Sequence, residues 1–197
     1  MGAKAGIAKI ATAYSVGAIL GVRGLGGPLP GLLEPALYAM LFAVGVSLGL
    51  ERGLGRLLAR RGPSGILLGG GVLLAGALAG YLVGLVRGLD PWLSAASAAG
   101  SGWYSFTGPV IAEYDAYLGF VAFAANVLRE LLTLVLYPIL ARCCPLQAVS
   151  LGGATAMDST LPVIARYGGP DAALLGLVQG LFVTLTVPII VPVLAAL

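Results

Sequence analysis

The chain has 197 residues, of which 59% are hydrophobic and only 10% charged, with a mean hydropathy of +1.01 and a net charge of +3. A soluble domain carries about 25% charged residues, so this composition describes an all-α integral membrane protein, and the positive excess is too small for a nucleic-acid partner. With no His and only two Cys, almost no ligands remain for transition-metal or haem chemistry, and no cofactor is expected.

The first twenty residues have a weak signal-peptide look, with Lys4, Lys9 and Ala11-Thr12-Ala13. The apolar run continues to Val22, however, and reads as an uncleaved first span. A span needs about 17–25 helical residues to cross roughly 30 Å of hydrocarbon. Five segments qualify as transmembrane helices, at about 5–22, 35–50, 65–86, 116–141 and 171–197, within a single membrane domain covering 1–197. Arg52, Arg56, Arg60 and Arg61 lie between the second and third of them. The positive-inside rule puts that loop in the cytoplasm, with the N-terminus inside and the Asp90 end of the third span outside. Cys143-Cys144 reads as two small apolar residues at a helix end, being neither a disulfide framework nor a metal-ligand spacing.

Two further segments, 91–112 and 146–165, are mostly apolar but interrupted by Gly, Pro and hydroxyl residues. They resemble each other. Without gaps, 95–114 and 148–167 share nine of twenty positions, most clearly Thr107-Gly108-Pro109-Val110-Ile111-Ala112 against Thr160-Leu161-Pro162-Val163-Ile164-Ala165. The third span therefore leads into a first repeat at about 91–141, followed by a second at 146–197. If each interrupted segment turns back rather than crossing, the repeats are inverted and Arg142 joins Arg166 on the cytoplasmic side. Charge bias favours this re-entrant arrangement. It brings two hairpin tips together near the midplane, as in transporters built from inverted repeats, and leaves the C-terminus outside.

Glu130 and Asp158 are the two acids deepest in apolar sequence. A bare carboxylate at a helix centre costs about 2.5–3.5 kcal/mol, so such groups mark pathways and sites. Asn126, Glu130, Thr133 and Tyr137 share a helix face, as expected of a stripe lining a pathway. The structural alternative for Glu130 is neutralisation of Arg129 or Arg166. For Asp158 it is capping of a half-helix through the N–H groups of Ser159 to Leu161. Ser159, Thr160, Ser105 and Thr107 either bind substrate or satisfy backbone groups freed at the breaks. Trp103 and Tyr104 either shape a pocket or anchor at the interface. Gly102, Gly108, Pro109, Gly152, Gly153 and Pro162 are expected to allow the helix breaks and close packing. No catalytic set is visible, so an enzyme is not expected.

Gly102-Trp103-Tyr104-Ser105, Asn126-Val127-Leu128-Arg129-Glu130-Leu131 and Gly152-Gly153-Ala154-Thr155-Ala156-Met157-Asp158-Ser159-Thr160-Leu161-Pro162 occur in that order. Together they resemble the LysO family of lysine exporters, whose last motif reads close to Gly-Ala-Thr-Ser-Met-Asp-x-Thr-Leu-Pro; Ala156 replaces a usual Ser. The resemblance implies a multi-pass inner-membrane protein exporting L-lysine and analogues such as thialysine. It also implies two essential intramembrane acids, which fall on Glu130 and Asp158. Full-length members begin with an extra three-helix segment, so either a small membrane subunit supplies those helices here, a homodimer substitutes for them, or the shorter form works differently.

The inside-negative potential opposes export of a cation by about 2.3 kcal/mol per charge per 100 mV, so export needs coupling. Protons entering on the same two acids would supply it. The carboxylates would hold lysine's ammonium groups, and N–H groups at a broken helix end would meet its carboxylate. A sodium- or proton-coupled carrier for another small solute is the second transport reading. A non-transporting membrane subunit of a split exporter is the reading from a different class.

Overall fold

The computed structural model describes residues 54–197, together with the isolated positions Val16 and Val46. The expected spans at 5–22 and 35–50, and Arg52, otherwise lie outside the described residues. All regular structure among the described residues is helical.

Helix α1 (Leu54–Arg87) begins eleven residues earlier than the apolar run at 65–86, so the stretch holding Arg56, Arg60 and Arg61 continues the helix and is not a loop. It ends in a glycine cap. Gly88 has φ +67, its N–H donates to the Leu85 carbonyl at 3.4 Å, and the Leu89 N–H donates to Gly84 at 3.0 Å. These are the two bonds of a Schellman motif. Asp90 then caps α2 (Pro91–Ala99), accepting from the Leu93 N–H at 2.8 Å, with Pro91 in the first turn where no N–H is needed. After a break, α3 covers Tyr104–Ala112. Asp115 caps α4 (Ala116–Leu140) through Leu118 at 2.8 Å. Two 3-10 turns follow, Gln147–Leu151 and Gly153–Met157, and α5 (Leu161–Ala195) completes the chain. Among the described residues, three stretches are long and apolar enough to cross a membrane: Arg61–Arg87, Ala116–Leu140 and Leu161–Ala195.

Close contacts fix the directions. Along α1, Gly84 meets Pro91, Gly80 meets Ser94 and Ala95, and Gly76 meets Ala98, so α2 runs back down α1. Gly119 meets Ala112 and Gly108 meets Phe123, which makes α3 and α4 antiparallel. Gly65 lies against Val178 and Gly69 against Phe182, so α1 and the long part of α5 run the same way. An Arg61–Asp171 ion pair at 2.7 Å ties one end of that pair. The start of α4 packs with the far end of α5 (Leu118 and Ala122 with Val187, Val191 and Ala195). Its end packs with the near end (Tyr137 with Ala172, Leu175 and Leu68). Helix α4 therefore opposes both α1 and α5.

The last helix differs from the expected span at 171–197. It consists of two helical pieces that meet at Gly169, where φ +77 and ψ −175 reverse the chain. A Cβ on Gly176 would sit 3.4 Å from Ile164, although twelve residues of straight helix would separate the two by about 18 Å. Residues 161–168 thus fold back along the start of the long segment. The second interrupted segment extends to this turn, three residues past its expected end at 165.

Bare helix faces allow these approaches, which predicts a contrast. Replacing Gly80 with Leu drives a side chain onto the Ser94 carbonyl and should lower stability by about 3 kcal/mol. Gly71 has open space around it, so Gly71→Leu should stay within about 1 kcal/mol of the parent. Thermal unfolding of the purified variants in detergent measures both.

Candidate functional site

Two interrupted stretches approach α4 at mid-length. The first is the turn Gly100–Trp103 between α2 and α3. It needs left-handed backbone at Ser101 (φ +48) and Gly102 (φ +99). Asn126 of α4 satisfies it: the side-chain oxygen accepts from the Gly102 N–H at 2.6 Å, and the side-chain nitrogen donates to the carbonyls of Ser97 (3.0 Å) and Ala122 (2.8 Å). The second is the pair of 3-10 turns. Arg129, one helical turn beyond Asn126, donates from Nε to the Leu151 carbonyl and from Nη2 to the Ser150 carbonyl, both at 2.9 Å. The two stretches also touch each other, the Ala154 N–H donating to the Ser101 carbonyl at 2.9 Å. Gly153 (φ +57) makes that contact possible, because a Cβ there would collide with the Ser101 carbonyl.

A pocket of about 260 Å³ opens at this junction. Gly102, Trp103, Tyr104 and Ser105 line it from the first break; Ala154, Thr155, Met157, Asp158 and Ser159 from the second; Glu130 from α4; and Thr184 from α5. Asp158 sits where the second 3-10 turn ends, with φ −130 and ψ −98. The Ser159 hydroxyl lies 3.2 Å from Asp158 Oδ1. Tyr104 packs edge-on to Phe123, with ring centroids 5.6 Å apart. Helix α3 starts beside the pocket with no side-chain cap. A larger pocket of about 430 Å³ between α1 and α5 is lined almost wholly by Leu, Ile, Val, Ala and Phe. Its one hydroxyl, Thr186, is already bonded to the Phe182 carbonyl at 2.6 Å. Convergent polar groups make the smaller pocket the candidate site.

Of the residues singled out in the sequence, Glu130, Asp158, Ser159, Ser105, Trp103, Tyr104 and Gly102 come together here. Others stand outside the pocket. Asn126 is buried and engaged with backbone on all sides. The Thr160 hydroxyl donates to the Thr155 carbonyl at 2.9 Å. Thr107 is buried against Gly100. Gly108 seats Phe123, Gly152 admits Ala156 and Thr160, Pro109 lies exposed inside α3, and Pro162 stands in the first turn of α5. The stripe Asn126, Thr133, Tyr137 does not line an open path. Thr133 donates to the Arg129 carbonyl at 2.8 Å and Tyr137 to Pro145 at 3.0 Å, both side chains buried. Nor does Asp158 cap a helix in the expected way, since its carboxylate takes only the Ser159 N–H and hydroxyl.

Ala154, Thr155, Met157, Thr184 and Arg129 carry no site expectation from the sequence. Met157 and Thr184 line the pocket, with the Thr184 hydroxyl 3.8 Å from the Met157 sulfur. The available signal was Gly180, one turn before Thr184, where a Cβ would meet Met157 N at 2.6 Å. The sequence offers Arg129 as a charge partner for Glu130; its guanidinium instead holds backbone carbonyls, and a cation in mid-span is itself the signal.

Comparison with known proteins adds the family. A family model described as "Lysine exporter LysO" matches residues 11–195. The Lysine exporter LysO of Escherichia coli strain K12 is 33% identical over 162 residues, covering 80% of this chain and 53% of that protein. The "Putative lysine exporter" of Haemophilus influenzae is 26% identical over 155 residues, covering 78% of this chain and 79% of that one. The chain thus spans about half the length of the Escherichia coli relative. No solved structure matches it. With the match running through both interrupted stretches and both pocket acids, this chain belongs to the lysine exporter LysO family, a family of membrane transporters and not of enzymes.

Proposed function

We propose that the pocket between the two interrupted stretches binds L-lysine, or a lysine-like cation such as thialysine, and that the chain exports it from the cytoplasm by proton antiport. The observation that carries this reading is the convergence of Glu130 and Asp158, from separate segments, on one polar pocket within an apolar bundle. Lysine offers two ammonium groups and one carboxylate. Glu130 and Asp158 take the ammonium groups, and the uncapped first turn of α3 at Tyr104 and Ser105 takes the carboxylate. Export against an inside-negative potential needs a second ion. A proton bound from outside occupies the same carboxylates that lysine must leave, so the two cargoes exclude each other.

The membrane topology belongs to the same reading. Helix α2 descends α1, α3 returns along α4, and 161–168 folds back at Gly169. These directions support two re-entrant hairpins entering from opposite faces, and inverted repeats at 91–141 and 146–197. Arg61, Arg142 and Arg166 lie toward one end of the bundle and Asp90, Glu113 and Asp115 toward the other. The arginine end is cytoplasmic, giving an inside N-terminus and an outside C-terminus. Because the chain spans only about half of its Escherichia coli relative, a second copy or a small membrane subunit completing the exporter is a further reading.

In proteoliposomes with acid outside, Glu130→Gln and Asp158→Asn should each cut efflux of labelled lysine by about tenfold or more, the scale of one lost charge-assisted hydrogen bond. Unchanged export and unchanged response to the pH gradient would dismiss the antiport. Export by the purified wild-type chain alone would dispose of the separate-subunit reading, whereas stimulation by sodium with no response to lysine would favour a carrier for another solute. Orientation has its own check. Cys143 is exposed at the end of α4, so a membrane-impermeant maleimide should label it in inside-out vesicles and spare it in right-side-out ones.

A further inference from the structure

Arg129 is a cation in the middle of α4, half-buried, and among the described residues the ion pair in the bundle is Arg61–Asp171, elsewhere. Its guanidinium spans two successive carbonyls, Ser150 and Leu151, at 2.9 Å each. Neither carbonyl accepts a backbone N–H across the break at Gly152–Gly153. Left bare in an apolar interior, both would be costly, as would the arginine. The planar fork of a guanidinium holds two such acceptors from two nitrogens in a fixed geometry, whereas a lysine ammonium offers its donors from a single atom on a flexible stem.

The grip falls at a sensitive place. Residue 129 adjoins Glu130, so holding Ser150 and Leu151 from there sets the second tip relative to Glu130 through a single peptide unit. From Leu151 the chain runs through Gly153, where a Cβ would come within 3.3 Å of Arg129 Nε, to Ala154, which is bonded to the first tip, and on to Asp158. Asn126 holds the first tip one turn earlier on the same helix.

We propose that Arg129 is a positioning residue of the transport site. It bolts the second tip to α4 so that Asp158 faces Glu130 at a fixed separation, and it touches neither substrate nor proton. This rests on the proposed function for its link to lysine, but the geometry itself can be read without lysine. A solute held by both carboxylates feels the separation; a proton on either one does not.

Two substitutions test it. Arg129→Gln and Arg129→Lys should raise the lysine KM by about tenfold, the scale of one charged hydrogen bond, with a smaller effect on maximal rate. Arg129→Lys keeps the charge and guards against a glutamine variant that fails to fold. A KM within twofold of wild type in Arg129→Lys overturns the proposal. The second readout uses Ser159→Cys in a Cys143→Ser/Cys144→Ser background. Loss of the grip should speed modification of that cysteine by a thiol reagent severalfold. An unchanged labelling rate overturns positioning even if KM rises, because Arg129 would then act on the substrate directly. If wild type exports no lysine, the reading of the site fails while the labelling rates still decide the role of Arg129.

Discussion

A helix broken inside an apolar bundle frees N–H and carbonyl groups that no water is there to satisfy. In this chain most of that debt falls on one helix. Asn126 takes the freed groups of the first break and Arg129 those of the second. A backbone bond from Ala154 to Ser101 joins the two breaks. The rest follows from this junction. The small-residue faces of α1 and α4 exist to let α2 and α3 lie close enough to reach it, and Glu130 and Asp158 meet because it brings their segments together.

Much of the bundle is readable in the residues. Uniform apolar runs mark α1 and α4 to within a residue at their apolar ends, and Asp90-Pro91 and Asp115 announce helix starts by capping chemistry. The interruptions at Gly100–Trp103 and Gly152–Thr160 stand out because Gly and hydroxyls cluster within apolar sequence. Conformation inside the second interruption is harder to see. Its residues match those of α2 and α3 in part, yet they form 3-10 turns where the first segment forms α-helix. Gly169 also hides well, since one glycine beside Gly168 and Pro170 looks like a helix start and not the reversal that it makes.

The site divides along the same line. Polarity in apolar sequence finds the acids, because charge in hydrocarbon needs a reason. It does not distinguish a group facing a cavity from one serving the backbone. Asn126, Thr133, Thr160 and Tyr137 are polar for the second reason, and only their partners reveal it. Thr184 escapes notice for the opposite cause: a single hydroxyl in a Val/Leu run is ordinary, and its place opposite Met157 depends on packing across α5.

The reversal at Gly169 also sets a depth. Unbroken, the 35 residues of α5 would measure about 52 Å, far beyond about 30 Å of hydrocarbon. Folded, the helix yields one long arm and one short one, the short arm running from 161 to 168 and reaching about 12 Å. The nine residues of α3 reach about 14 Å from the other direction. On the proposed topology those two arms, laid end to end, nearly measure the thickness of the apolar layer. On that topology their tips meet without overlapping, and the proposed transport site would lie at a depth from either face set by the length of two short helices.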